Sequence, residues 1–309
     1  MHASILKYFA AIARTGSIRK ASEELHVATS ALSRQIKKLE DELGTPVFER
    51  FSDGLRLTSA GEIVLRHARE TLQRYEVMKG DLGDLKGKKT GRVHIACLDS
   101  LAVQFLPEQV AEFHRRHPAV DFRIRAESYN IYQRLAEGDV DIGITFDVDR
   151  PPDIAMIRGV SMPLMAIVAR HHPLARQKSV SLQECAQFNL LLQLNNDVMS
   201  SMISIELGAL ERNGRNFIST NSQMMLKPLI LSGVGVAFFT PLGLLQELEA
   251  GEVVALHISG SRLRDLKVGV VVPRQRKLTH AADAMAQFLS DGLERFSLKI
   301  TAALERGKV

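Results

Sequence analysis

The side chains whose types and spacing carry the most chemistry lie between Ser17 and Arg56. The run Thr29-Ser-Ala-Leu-Ser-Arg-Gln-Ile-Lys-Lys-Leu-Glu-Asp-Glu-Leu43 puts Leu32, Ile36, Leu39 and Leu43 on one side of a helix, and Gly44 follows where a helix-ending glycine belongs. The other side carries Thr29, Ser30, Ser33, Arg34 and Lys37, hydroxyls and cations gathered toward the start of the helix. Such groups donate to phosphate oxygens and to base edges, and the N-terminal end of a helix fits the major groove of DNA. Farther on, Asp53-Gly54 is a two-residue hairpin signal, with Arg50 and Arg56 flanking it, placed to grip phosphates or to enter a minor groove. The helix spacing alone also fits any amphipathic hairpin with a solvated basic face; the ribbon that follows favours a nucleic-acid reader.

Those side chains need elements to hold them. Ser17 is a plausible N-cap for a segment that places Ile18, Ala21 and Leu25 on one face, and the short link His26-Val27-Ala28 joins it to the second helix. From Thr58 to about Lys86 the pattern is one long helix, with Ser59-Ala-Gly-Glu62 readable as a capping box. Within it Val64, Ala68, Thr71, Tyr75, Met78, Leu82 and Leu85 alternate four and three apart, a heptad seam. The seam either packs on its own domain or joins two chains; a DNA module of this size has too little core to hide it, which favours self-association through Val64, Ala68, Tyr75, Met78, Leu82 and Leu85. Gly80, Gly83, Gly87 and the run Lys86-Gly-Lys-Lys-Thr-Gly91 dissolve the helix into a hinge.

Beyond Arg92 strands and helices alternate: Val93 to Cys97, Pro107 to His117, Phe122 to Ala126, Ile131 to Gly138 and Val140 to Phe146. This α/β pattern predicts a largely parallel sheet with ligand chemistry at the C-terminal strand ends. A second unit begins around Pro163 to Ala169 and contains Phe188 to Leu194 and Gly233 to Phe239; Leu266 to Val272 reads as a return strand and Ala281 to Leu304 as a closing helix. Two crossings between the lobes predict a hinged cleft.

The chain of 309 residues is long enough for two or three domains. Residues 1–90 hold sixteen Lys and Arg against twelve Asp and Glu, so they supply +4 of the formal net charge of +5, and a polyanion partner belongs to that part. Cys97 and Cys185 are the only cysteines, which excludes a disulfide framework and fits a reduced cytosol. With no leader-like start and no apolar run of membrane-spanning length, a cytoplasmic, nucleoid-associated protein is expected. His114-x-x-His117 and His171-His172 lack a third ligand, so no metal is expected, and Gly233-Val-Gly235 lacks the third glycine of a dinucleotide fingerprint, so no cofactor is expected. Cys97 reads as a redox thiol or, better, as a small buried hydrophobe. No nucleophile and base converge in the pattern, which argues against an enzyme. A solute-binding transport protein shares the two-lobed α/β part but lacks the first sixty residues.

Several motifs together resemble the LysR-type transcriptional regulators. They are Phe9-x-x-Ile12-Ala-Arg-Thr-Gly16-Ser17, Ala31-Leu-Ser-Arg-Gln-Ile36-x-x-Leu39-Glu40-x-x-Leu43-Gly44, Phe48-x-Arg50 and Leu57-Thr58-x-Ala60-Gly61. Downstream, Leu106-Pro107, Gly138-Asp139-Val-Asp141-Ile-Gly-Ile144, His172-Pro-Leu-Ala175 and Gly233-Val-Gly235 add to the resemblance. It implies an all-α winged helix-turn-helix domain at 1–58, a dimerisation linker helix and hinge at 59–91, and an α/β two-lobed, periplasmic-binding-protein-like effector domain at 92–309. Lobe I would span about 92–162 and 268–309, and lobe II about 163–267. The implied partners are double-stranded operator DNA, a small-molecule effector, further copies of the chain as a dimer or tetramer, and RNA polymerase. By position, the resemblance lines the effector cleft with Asp99, Ser100, Leu101, Ser128, Tyr129 and Phe146 from one lobe and Asn195, Asn196, Met202 and Ser222 from the other. Ser100 and the amides opening its helix would suit an anionic group, and Phe146 an apolar part of the effector. Lys20, the pair Ala28 and Thr29, and Thr240 depart from the family pattern; at Thr29 a common base contact is missing.

Overall fold

Ile5, Leu6, Phe9 and Ile12 recur at helical spacing and are buried along one face of α1 (Ala3–Thr15). In this computed structural model the described residues are 3–52, 54–84, 90–127, 129–193, 217–260 and 265–306, and the chain divides into two compact units, Met1–Gly91 and Arg92–Val309. In the first unit α2 (Ile18–Leu25) and α3 (Thr29–Leu43) follow α1. A hairpin of β1 (Phe48–Phe51) and β2 (Gly54–Leu57) and a long helix, α4 (Ser59–Asp84), complete it. Leu6, Phe9, Ile12, Ala21, Leu32, Ile36, Leu39 and Val47 form one core. Ser17 caps α2 by accepting from the Lys20 amide at 3.4 Å, as its type and place predict.

The hairpin is antiparallel, with Phe48 opposite Leu57 and Phe51 opposite Gly54. It is fixed to the α1–α2 turn by the Leu55 amide, which donates to the Gly16 carbonyl at 2.8 Å. Gly54 has φ +140, and a β-carbon there would come within 2.7 Å of the same carbonyl oxygen, so only glycine fits. The cap of α4 is Thr58, not Ser59. The Thr58 hydroxyl accepts from the Gly61 amide at 2.9 Å and donates to the Pro46 carbonyl at 2.9 Å, tying the helix start to the chain that enters the hairpin.

The heptad seam of α4 is divided by its surroundings. Ala68 is fully buried and Val64 packs at the edge of the unit's own core, because α1 lies along this half of the helix. Ala68 is therefore withdrawn from any surface a second chain can reach. Tyr75, Met78 and Leu82 remain exposed, at 40%, 46% and 52%; Leu85 lies outside the described residues.

The second unit holds two sheets. The first runs in the order β4 (Val120–Ala126), β3 (Gly91–Cys97), β5 (Ile142–Phe146), β13 (Lys267–Pro273), β6 (Ile154–Ser161). The second runs β10 (Phe217–Thr220), β9 (Leu190–Gln193), β11 (Val236–Phe239), β7 (Met165–Ala169), β12 (Val253–Ile258), β8 (Ser179–Val180). Both are mixed, where a largely parallel sheet is expected from the sequence. β13 runs antiparallel to β5 and β6, and β7 antiparallel to β11 and β12. The reason lies in the crossings: the chain leaves the first sheet after β6 and returns beside it in β13, with Lys267 opposite Ser161, so the return strand runs the other way.

The closing helix α11 (His280–Arg306) buries Met285, Leu289, Leu293 and Phe296. It packs on β6, β13 and α6 (Phe105–Arg116), and also on α10 (Leu245–Glu249), which follows the second sheet's β11. One continuous apolar cluster thus includes Ile95 and Val270 of the first sheet and Ile167 and Ala237 of the second.

Gly54→Ala is expected to lower the stability of the first unit by about 1–3 kcal/mol, because the side chain must either clash or push the hairpin off the α1–α2 turn. Chemical denaturation of the full chain followed by far-UV dichroism measures it; an unchanged transition would show that the hairpin is not held at this point.

Candidate nucleic-acid interface and effector cleft

On α3 the burial of Leu32, Ile36 and Leu39 leaves Thr29, Ser30, Ser33, Arg34 and Lys37 exposed. Leu43, expected on the buried face, is 40% exposed, since it lies beyond the core at the end of the helix. Ala28 occupies the N-cap and offers no side-chain acceptor. The Ala31 amide donates to the Ala28 carbonyl at 2.9 Å, which leaves the Thr29 and Ser30 amides and the positive end of the helix dipole to an anion approaching that end. The Thr29 hydroxyl is not available in the same way: it donates to Ser22 Oγ at 3.0 Å, and Ser22 Oγ donates to the Val27 carbonyl at 2.7 Å. This chain of hydrogen bonds pins α3 to α2 across the turn. Ser22 has no part in the sequence reading; a serine seven residues before a threonine across a tight turn is its signal.

Arg50 and Arg56 are both exposed on the hairpin, but they do not share a face. Arg56 stands opposite Glu49 and Arg50 opposite Leu55, so strand alternation sends the two arginines to opposite sides of the ribbon. The Arg56 guanidinium lies 4.6 Å from the Phe51 ring centroid, a stacked position that holds it extended. Glu40 anchors the base of the hairpin by accepting from the Val47 amide at 2.9 Å.

In the second unit the C-terminal ends of β3, β4 and β5 gather along one side, since β3 and β5 are parallel and the Glu127 amide, just past β4, donates to the Cys97 carbonyl at 2.9 Å. The short helix α5 (Asp99–Ala102) follows β3 and leaves Asp99 and Ser100 half-buried. Leu101 points the other way and is fully buried, so it belongs to the floor and not to the lining. Tyr129 is 51% exposed, and Phe146 is half-buried, its carbonyl accepting from the Tyr132 hydroxyl at 2.7 Å. Burial, and then the Asp147 carboxylate, push the Tyr132 phenol up to about 12, so it stays a donor.

Ser222 is half-buried just before α9 (Gln223–Leu231) and does not cap it; its amide donates to Thr220 Oγ1 at 3.1 Å. Of two residues that the sequence does not single out, Gly243 lies against Ser100 from the second sheet's side and Gln223 lies beside Gly243. A β-carbon at Gly243 would stand 3.4 Å from Ser100 Cα and 2.8 Å from Gln223 Nε2. Ser128, Asn195, Asn196 and Met202 lie outside the described residues. The expected anion site loses its basis: α5 spans four residues and begins with Asp99 itself, so its dipole is small and opposed by a carboxylate.

Also missed by the sequence reading is Glu247 of α10. It is buried and ion-paired with Lys227 of α9, and its Oε2 accepts no hydrogen bond from the described residues. An apolar groove of about 350 Å³ lies between α6 and the edge strand β4, lined by Leu106, Val110, His114 and Ile124 among others. Among the described residues no group of three His, Cys, Asp or Glu side chains is placed to hold a metal, and no helix is long and apolar enough to cross a membrane.

Residues 4–62 match the family described as bacterial regulatory helix-turn-helix protein, lysR family, and residues 86–294 match the family described as LysR substrate binding domain. The RuBisCO operon transcriptional regulator of Allochromatium vinosum is 29% identical over 307 residues, 97% of this chain and 100% of that protein. The transcriptional activator CmpR of Synechocystis is 26% identical over 287 residues, 91% of this chain and 92% of its own. Among solved structures, full-length OxyR of Pseudomonas aeruginosa has a similar fold, with TM-score 0.69 at 19% identity, covering 95% of both chains. Full-length CbnR in complex with its target DNA gives TM-score 0.56 at 20% identity, covering 96% of this chain and 100% of CbnR.

Both thiols are buried, and burial pushes each up to about 12, with Asp99 and Glu127 adding at Cys97 and Glu184 at Cys185. The reactive thiolate is then negligible at pH 7.5, and maleimide is expected to leave both cysteines unlabelled in the native chain and to label both in denaturant. Rapid labelling of Cys97 in the native chain, read by mass spectrometry, would restore the redox reading.

Proposed function

The chain belongs to the lysR family of bacterial regulatory helix-turn-helix proteins, and we propose that it reads its operator with the outer face of α3 and grips the flanking backbone with the hairpin. It is a transcriptional regulator with a DNA-binding domain and a substrate-binding domain. The observation that carries the proposal is the division of α3 into a buried apolar side and an exposed side of Ser30, Ser33, Arg34 and Lys37. Arg34 is the residue with the reach and geometry to pair with a guanine edge, and Ser30, Ser33 and Lys37 suit phosphates or neighbouring bases. Arg50 and Arg56, on opposite sides of the ribbon, serve as backbone or minor-groove contacts.

The effector site we propose lies where Asp99, Ser100, Tyr129 and Phe146 face Ser222, Gln223 and Gly243, with Ser128, Asn195, Asn196 and Met202 as further candidates from their place in the sequence. The convergence of Ser100, Gln223 and Gly243 supports it. A small molecule there changes DNA binding only if its affinity differs between two arrangements of the protein. Proteins of this family form oligomers; the exposed Tyr75, Met78 and Leu82 of α4, with Val64 at their margin, are the surface we assign to pairing, as a dimer that can assemble into a tetramer. Action on transcription adds RNA polymerase as a partner at the promoter, which makes the nucleoid the place of action.

Arg34→Ala is expected to weaken binding to a selected operator duplex by about 1–3 kcal/mol and to relax the base preference at one position. An unchanged mobility shift with the fold intact would remove Arg34 from the reading surface. Leu82→Asp places a carboxylate in the pairing seam, where desolvation opposes burial. Sedimentation velocity is expected to show dissociation; a fully dimeric, DNA-binding Leu82→Asp protein would move assembly to another surface.

A further inference from the structure

At the head of α3 the hydroxyl expected to face DNA is spent inside the protein. Ser22 Oγ uses its one proton on the Val27 carbonyl at 2.7 Å, so toward Thr29, 3.0 Å away, it acts only as an acceptor, and Thr29 Oγ1 is the donor. Thr29 is nonetheless exposed and is the first residue of α3. Its Cβ carries two heavy substituents, and with Oγ1 bonded to Ser22 the Cγ2 methyl is the one left without a hydrogen-bonding role. Ala28, exposed just before it, adds a second methyl and no polar atom beyond the backbone. In the major groove the base-edge feature that suits a methyl group is the thymine C5-methyl.

We propose that the first turn of α3 selects a thymine by methyl contact, with Thr29 Cγ2 as the reading group and Ser22 as the positioning residue that turns it outward. This rests on α3 entering the major groove, as proposed above. The contact replaces hydrogen-bond readout at this place in the helix with a shape-and-methyl readout, which distinguishes thymine from cytosine, whose C5 bears hydrogen.

The test uses duplexes selected from a random library by the full-length protein, in which each thymine is replaced in turn by deoxyuridine. Removing only the C5-methyl at the contacted position is expected to weaken wild-type binding about fourfold per half-site, the scale of one buried methyl group. Thr29→Ser, which folds with the same hydroxyl, is expected to bind the thymine duplex about fourfold more weakly and to show no deoxyuridine penalty, while Thr29→Val keeps the penalty. Ser22→Ala lets the side chain turn and lowers the thymine-to-deoxyuridine ratio without abolishing binding; a ratio unchanged in Ser22→Ala overturns the positioning role. Selective binding with no penalty at any thymine, or the same penalty in Thr29→Ser, overturns the methyl contact alone. Failure to select any sequence would overturn the reading by α3 itself.

Discussion

The burial of Leu32, Ile36 and Leu39 against α1 is the interaction on which the DNA-facing side of the chain depends. Each of these side chains contributes about 1.5–3 kcal/mol by leaving water. Turning α3 by one residue would carry Ser33 into the apolar space and release a leucine. That cost fixes the rotation of the helix, and with it the choice of Ser30, Ser33, Arg34 and Lys37 as the outward set. The same core holds the ribbon: the Phe9 ring of α1 lies 5.1 Å from that of Phe48 in β1, so the helix and the hairpin are oriented by one set of contacts. Polar pins add to this frame, the Ser22–Thr29 bond at the turn and the Thr58 bonds at the head of α4.

The second unit uses apolar burial in a different way. Its two sheets share one cluster, in which Leu244, Leu245 and Leu248 accompany Leu289 and Leu293 of α11. A wide opening of the hinged cleft would pull those leucines out of contact and expose them to water. Gly243 already lies against Ser100 where the two sides come together. Mixed strand directions follow from the same topology, because β6 and β13 are neighbours on the path out of the first sheet and back.

The parts legible in the sequence are those whose signal is local. The 3.6-residue period of α3, the hairpin that turns before Gly54, the long reach of α4 and the closing helix all announce themselves without knowledge of a partner. What escaped depends on contacts made by distant residues. Ala68 falls in a heptad frame, yet α1 takes it for the first unit's core. Ser59 has the type and spacing of a cap, yet Thr58 is the residue whose hydroxyl reaches both the Gly61 amide and the Pro46 carbonyl. Leu101 sits beside two half-buried polar residues in sequence but on the far side of a single turn of helix. Gln223 and Gly243 matter only because the fold returns them to the neighbourhood of Ser100, well over a hundred residues away in the chain.

Amide hydrogen exchange of the full-length chain, free and saturated with a selected operator duplex, tests the orientation of α3 most directly. The uncapped amides at the head of α3, the exposed face through Lys37 and the hairpin from Glu49 to Leu57 are predicted to exchange more slowly in the complex. Saturated, sequence-selective binding with no change over residues 28–37 would contradict the account and place the reading surface elsewhere.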